Sequence, residues 1–277
     1  MKRLAVFGFG LIGASVAAAV RKAAPNVEII ALDLPAALAS PEVRALSDRQ
    51  IDSSDRAGIQ RVAVEADLCL LAAPVSVIES ALPVLLETAQ AVTDCGSTKR
   101  SICARIAGLP RARRFVPAHP MAGGPEGGAG MARAELFHGQ TWLVCPEDSD
   151  LDAVLRVEQL IEWVGAKSVH LSIAEHDRAV AYTSHAPQLL ASALSVLAER
   201  AGALPAAGPA YRATTRSAGG AEAMWRDIFA ANADEIAAVL RQLASELGLV
   251  ADGLEASPSD PSAALKLLAQ ARSARRR

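Results

Sequence analysis

The residues best placed to do chemistry begin near the first methionine. Leu4-Ala5-Val6-Phe7 runs into Gly8-Phe9-Gly10-Leu11-Ile12-Gly13 and then into a helical stretch at 14–22. A strand, a GxGxxG turn and a helix in that order cradle the pyrophosphate of a dinucleotide. Gly8 permits the tight turn, Gly10 lets the backbone approach the phosphates, and Gly13 lets the helix lie close to the strand. The free amides at the helix start, around Leu11 and Ile12, add hydrogen bonds and a positive dipole. Asp33 ends the next strand-like run, twenty residues past Gly13, where a carboxylate can bind the ribose hydroxyls. Its charge would repel a 2′-phosphate and no Arg or Lys follows directly, so NAD is expected over NADP. The bland alternative for Asp33 is an ordinary turn aspartate. Pro74 follows another strand end, a place where this fold commonly lines its nucleotide.

Two further strand ends carry polar groups. One is Asp94-Cys95-Gly96-Ser97-Thr98-Lys99 and the other Ala118-His119-Pro120-Met121-Ala122-Gly123-Gly124. His119 titrates near neutrality and precedes a proline that would stiffen its loop, so it is the candidate general base. An isolated histidine is more often structural, and that reading stands beside the catalytic one. Ser97 could orient an imidazole or cap a helix starting near Thr98. Lys99 and Asp94 fit local structure better than chemistry. Later come Ser184-His185-Ala186-Pro187, Thr215-Arg216-Ser217 and Met224-Trp225-Arg226-Asp227-Ile228. His185 could be a satisfied buried histidine, Arg216 a surface ion-pair partner, and Trp225 core packing.

These groups need a scaffold that gathers strand ends. Candidate strands at 4–7, 28–32, 68–72, 91–94, 115–118 and 142–145 alternate with helical stretches, the order that builds a mostly parallel sheet covered on both faces. Ligands bind beyond the carboxyl ends of such strands. After Pro146 the pattern changes to long helices, about 150–164, 174–201 and 221–247, with a strand-like 168–171 between the first two. The expected architecture is α/β, a Rossmann-type domain at 1–172 followed by an all-helical domain at 173–277. The Ala/Leu-rich helices have more apolar face than a small domain needs, which predicts a homodimer.

Composition narrows the class. With 277 residues, 51% of them hydrophobic, the chain can bury a large core and a second domain. A net charge of −2, from 28 basic and 30 acidic residues, offers no field for nucleic acid or an anionic membrane. The four cysteines form no CxxC pair and read as buried thiols, and no metal is expected. The N-terminus lacks a signal-peptide pattern and no apolar run is long enough to span a bilayer, so a cytoplasmic protein is expected.

The ordered set of GFGLIG, DCGSTK, HPMAG, SHAP and MWRDI segments resembles the prephenate/arogenate (cyclohexadienyl) dehydrogenase family, from the glycine turn to about Asn232. The resemblance implies NAD-dependent oxidation of a cyclohexadienol with loss of carbon dioxide, giving 4-hydroxyphenylpyruvate from prephenate or tyrosine from arogenate. It implies His119 as the base, Ser97 hydrogen-bonded to that histidine, Arg216 on a substrate carboxylate and His185 on the substrate side chain. Two departures leave the substrate open. Relatives often carry an acidic residue soon after HPMAG, where this chain offers only a displaced Glu126, and often an aspartate where Ala213 stands. No room remains after Leu247 for a regulatory domain, so tyrosine feedback is expected at the active site. A catalytically silent NAD sensor is the alternative of another class, disfavoured by the complete polar set. A hydroxyacid dehydrogenase is disfavoured because the helix at 174–201 lacks a lysine.

Overall fold

The computed structural model describes residues 1–124 and 126–275. Six strands form one parallel sheet: β1 (Arg3–Phe7), β2 (Glu28–Asp33), β3 (Arg49–Asp52), β4 (Leu68–Leu71), β5 (Val92–Asp94) and β6 (Phe115–Val116). Their order is β3-β2-β1-β4-β5-β6, the doubly wound arrangement in which the chain reverses between β1 and β4. β4 is buried along its whole length, and β1 from Leu4 onward, because helices cover both faces. One apolar layer joins Leu4, Val6, Ile29 and Leu70 to the helices Leu11–Ala23 and Leu151–Trp163. The opposite layer joins Ala5, Ile30, Leu32 and Leu71 to the helices Arg56–Glu65 and Val75–Leu86.

Two features differ from the expectation. β3 went unseen because Arg-Gln-Ile-Asp at a sheet edge needs only one apolar side chain. The run 115–118 is not one strand either. Pro117 separates β6 from β7 (Ala118–Pro120), and β7 belongs to a second, three-stranded sheet with β8 (Thr141–Val144) and β9 (Lys167–His170). β7 pairs antiparallel with β8, and β8 parallel with β9. Pro117 has no N–H to continue the first ladder, while its carbonyl accepts from the Cys145 amide at 2.8 Å. The strand at 142–145 therefore leaves the main sheet, and His119 stands on the second sheet rather than at the end of a main-sheet strand.

From Ser172 onward the chain is helical. Ser172 opens the helix Ile173–Val180 with a capping box, its hydroxyl accepting from the Glu175 amide and the Glu175 carboxylate accepting from the Ser172 amide. The helix expected at 174–201 is continuous in path but contains a π-helical turn, Ala181–His185, before Ala186–Arg200. There the Ala186 amide bonds the carbonyl of Ala181, five residues back. Pro187 cannot donate in the regular pattern, and the widened turn absorbs the mismatch. The stretch 221–247 is two helices, Glu222–Ala231 and Ala233–Glu255, interrupted at the buried Asn232. A further helix, Ser262–Ala274, follows. The buried core of this domain is small, made of Ala181, Ala186, Ile236 and Val239. Leu194, Leu197, Leu247, Leu254 and Leu265 lie exposed, more apolar surface than a solvated helical domain ordinarily shows.

Candidate active site

The glycine turn has the shape its spacing predicts. Gly8 sits at φ +87°, and a Cβ there would lie 2.4 Å from the Ala72 carbonyl oxygen. A Cβ on Gly13 would lie 2.0 Å from the Gly8 carbonyl oxygen, whereas one on Gly10 would meet nothing within 4 Å. The crowded positions thus close the turn on β4 and the helix. The open one leaves the approach a pyrophosphate needs, in front of a helix with no acidic residue in its first turn. Leu11 and Ile12 open that helix. The residues present fit a dinucleotide.

Asp33 combines both of its readings. One carboxylate oxygen accepts the Phe9 amide at 2.7 Å and the other the Leu34 amide at 2.7 Å. The side chain therefore holds the glycine turn against the end of β2, and each half-buried oxygen keeps a lone pair for a ribose hydroxyl. Pro74 immediately precedes the helix Val75–Leu86. One residue into that helix, the Ser76 hydroxyl donates to Asp227 at 2.6 Å and its amide donates at 3.2 Å, joining the nucleotide domain to Glu222–Ala231. Asp227 stands in the MWRDI segment, yet nothing in its local sequence indicates this latch.

The loop after His119 brings the second group to the first. A Cβ on Gly124 would touch Leu11 at 3.3 Å, and the Arg133 amide donates to Ser15 on the nucleotide helix at 3.0 Å. Met121, Ala122, Gly123, Arg133, Gln140 and Arg216 line a cleft of about 570 Å³ between this loop and the helical domain. Arg216 is exposed there, and neither it nor Arg133 has a carboxylate partner among the described residues. Glu135 also borders the cleft but is paired with Lys22 at 2.9 Å. Glu126 is exposed, and its side chain has no hydrogen-bond partner among the described residues.

His119 is 8% exposed at the centre of β7, opposite Leu143. Its Nδ1 lies 3.1 Å from Nε2 of His176, and Nδ1 of His176 lies 2.8 Å from the Asp177 carboxylate. His176 and Asp177 are fully buried. Ser97 makes no hydrogen bond to His119; the imidazole has His176 for its partner. Nor does Ser97 cap the next helix, Arg100–Ala104, whose leading amides at Lys99 and Arg100 donate to Asp177 at 2.7 and 2.9 Å. A carboxylate from the helical domain thus does the work expected of a local cap.

Lys99 is buried beneath this group. Its ammonium donates to Asp94 and, at 2.8 Å, to the Ala118 carbonyl, while Asp94 accepts the Ala118 amide at 3.0 Å. The pair fixes the residue before His119. His185, at the end of the π turn, is fully buried with Nδ1 3.3 Å from Asn232 and Nε2 without a partner. It meets Trp225 edge to face at 6.2 Å. Arg216 thus shares the cleft with His119's loop, whereas His185 lies among the helices against Asn232 and Trp225 and is not among the residues that line that cleft.

Burial, with the nearby His176 and Lys99, drives the His119 imidazole well below its ordinary 6.5. Burial also lowers His176, against the opposing pull of Asp177, and lowers His185 to about 4. Below pH 6.5 the unfolded imidazoles take up protons that the folded ones refuse. The unfolded state then binds more protons, and stability must fall as pH falls. Unfolding free energies from urea titration are expected to decline steadily from pH 6.5 toward 4, by up to about 1.4 kcal/mol per pH unit for each histidine. A flat profile across that window would contradict the burial of these rings.

The strand order and the glycine cradle define the class: a dinucleotide-binding Rossmann protein with an all-helical second domain. Family comparison gives the finer placement. The model described as "Prephenate dehydrogenase, nucleotide-binding domain" matches residues 16–170, and "Prephenate dehydrogenase, dimerization domain" matches residues 172–263. The chain belongs to the prephenate dehydrogenase family. It is 33% identical over 246 residues to the prephenate dehydrogenase of Bacillus subtilis (strain 168), covering 83% of this chain and 64% of that protein. It is 28% identical over 256 residues to the cyclohexadienyl dehydrogenase of Zymomonas mobilis, covering 89% and 86%. The chain spans just under two thirds of the Bacillus protein's length. In fold it is similar to the prephenate dehydrogenase from A. aeolicus solved in complex with hydroxyphenyl propionate and NAD+. The TM-score is 0.85 at 21% identity, covering 99% of this chain and 97% of that one.

Proposed function

We propose that the protein is an NAD-dependent prephenate dehydrogenase that oxidatively decarboxylates prephenate to 4-hydroxyphenylpyruvate. The observation that carries the reading is His119, kept neutral by burial, at the root of a loop that touches the dinucleotide helix on one side and the arginine-lined cleft on the other. Bound NAD+ supplies the hydride acceptor for the carbinol C–H. His119 takes the hydroxyl proton, without which the carbonyl cannot form. The electron pair of the ring carbon–carboxylate bond enters the ring as carbon dioxide leaves, and aromatisation drives the step. Arg216 holds a substrate carboxylate, His185 faces the substrate side chain, and Ser97 stays near the reacting groups without holding the imidazole. Asp33 gives the preference for NAD.

Prephenate is favoured over arogenate because two arginines without carboxylate partners, Arg133 and Arg216, share the cleft, while its acidic wall residue Glu135 is already neutralised. A net dianion gains from both cations, whereas the carboxylate that an ammonium group would meet among the described residues lining the cleft is that of Glu135, already paired with Lys22. The divide between nucleotide and helical domains is placed at 172/173. The exposed leucines of the helical domain support a homodimer. A cytoplasmic location is consistent with the finding that no helix among the described residues is long and apolar enough to cross a membrane.

Steady-state kinetics on prephenate and arogenate, each with NAD+ and NADP+, test the reading. Prephenate with NAD+ is expected to lead in kcat/KM by about tenfold or more, about 1.4 kcal/mol for the arogenate ammonium left beside two guanidinium groups without a carboxylate partner. Tight NAD+ binding with no turnover of either compound would favour a nucleotide sensor instead.

A further inference from the structure

We propose that His176 and Asp177 are positioning residues for His119, holding its Nδ1–H so that the lone pair available to substrate lies on Nε2. The inference rests on the reading of His119 as the base and adds the two residues that decide which of its nitrogens can act.

The hydrogen-bond chain can run in only one direction. The Asp177 carboxylate accepts the Lys99 and Arg100 amides, and the Arg100 guanidinium approaches it at 3.4 Å. Surrounded by donors, it stays ionised and can only accept, so Nδ1 of His176 is the donor across 2.8 Å. A neutral imidazole carries one proton, which leaves Nε2 of His176 as an acceptor. Nδ1 of His119, at 3.1 Å, must then donate to it. The remaining nitrogen of His119, Nε2, carries the free lone pair and has no hydrogen-bond partner among the described residues. Because His176 and Asp177 are sealed from solvent, no water competes to flip the sequence of donors.

The same chain serves the charged state. When Nε2 of His119 gains the hydroxyl proton, the ring becomes an imidazolium beside the buried Lys99 ammonium, an unfavourable neighbour. Its Nδ1–H remains on the His176 acceptor, and the Asp177 carboxylate lies one ring further on. The positive charge is stabilised without any proton leaving the site. Asp177 is itself braced. Its carbonyl accepts from Asn232 at 2.8 Å, and Arg100 spans from Asp177 to Asp234 at 2.7 Å and to Asn232 at 3.0 Å. The break between the two long helices at Asn232 therefore supports the imidazole chain from behind.

Two measurements on the full chain test this. Nitrogen-resolved imidazole NMR of the substrate-free wild type should show His119 as the Nδ1–H tautomer. Steady-state kinetics should show kcat down by about a hundredfold in His176→Leu, with KM for NAD+ within about twofold. In His176→Gln the carboxamide can donate to Asp177 and accept from His119, so kcat should recover to within about tenfold of wild type. An Nε2–H tautomer in the wild type, wild-type kcat in His176→Leu, or equal losses in the Leu and Gln variants would overturn the proposal. If the wild type turns over no cyclohexadienol, the functional reading fails, and the tautomer measurement still decides this one.

Discussion

Replacing His119 by Asn is expected to lower kcat by about 10²–10⁴-fold while the Kd for NAD+ stays within about twofold. The carboxamide can occupy the place of the imidazole Nδ1 and keep a hydrogen bond to His176, so the local backbone need not move. What disappears is the second nitrogen, and with it the group that can receive a proton. The β7 pairing of residue 119 with Leu143 is a main-chain matter and survives the change. The nucleotide cradle is built from Gly8, Gly10, Gly13 and Asp33, none of which touches the imidazole. Stopped turnover with intact NAD+ binding by calorimetry is therefore the signature. Unchanged turnover would remove His119 from the chemistry, and weakened NAD+ binding would reassign it to the cradle.

Replacing Lys99 by Met is expected to destabilise the fold by about 3–5 kcal/mol, the usual cost of breaking a buried ion pair from one side. Both side chains are fully buried, so nothing but each other and the backbone balances their charges. Without the ammonium, Asp94 keeps only the amides of Gly96 and Ala118, and the Ala118 carbonyl loses its donor. Changing Asp94 to Asn in the same chain should restore part of the loss, because the stranded charge is then gone. Urea unfolding of the single and double variants measures both effects. A loss below about 1 kcal/mol in the single variant would mean that water reaches the pair, contrary to its burial.

The π turn and the interruption at Asn232 show how a correct local reading can miss what matters. Periodicity anticipated helix across 174–201 and 221–247, and helix is there. Pro187 hinted at the widened turn, since proline in a helix interior must be accommodated somehow. Asn232 gave a weaker hint, because its break answers to partners on other elements, Asp177 and Arg100. Ser97 shows the opposite error. Its segment resembled a known motif, and the bond to His119 expected on that basis goes instead to a histidine that local sequence did not distinguish.

Sequence by itself determined the parts whose causes are local. A strand, a glycine turn and a helix follow from residues within a few positions of one another, and steric closeness at Gly8 and Gly13 leaves little choice of side chain. The alternation of apolar runs with helices determined the α/β order and the helical second half in the same way. Tertiary structure alone decided which polar groups meet. His119 and His176 are 57 residues apart, Lys99 and Asp177 are 78, and Ser76 and Asp227 are 151. No short-range pattern encodes such pairs, because the first depends on where Pro117 redirects the chain into a second sheet and all three on how the helical domain lies against the nucleotide domain. Hydrogen bonds reach only about 3 Å, so their partners are chosen by the last few ångströms of packing, after local preferences have been satisfied.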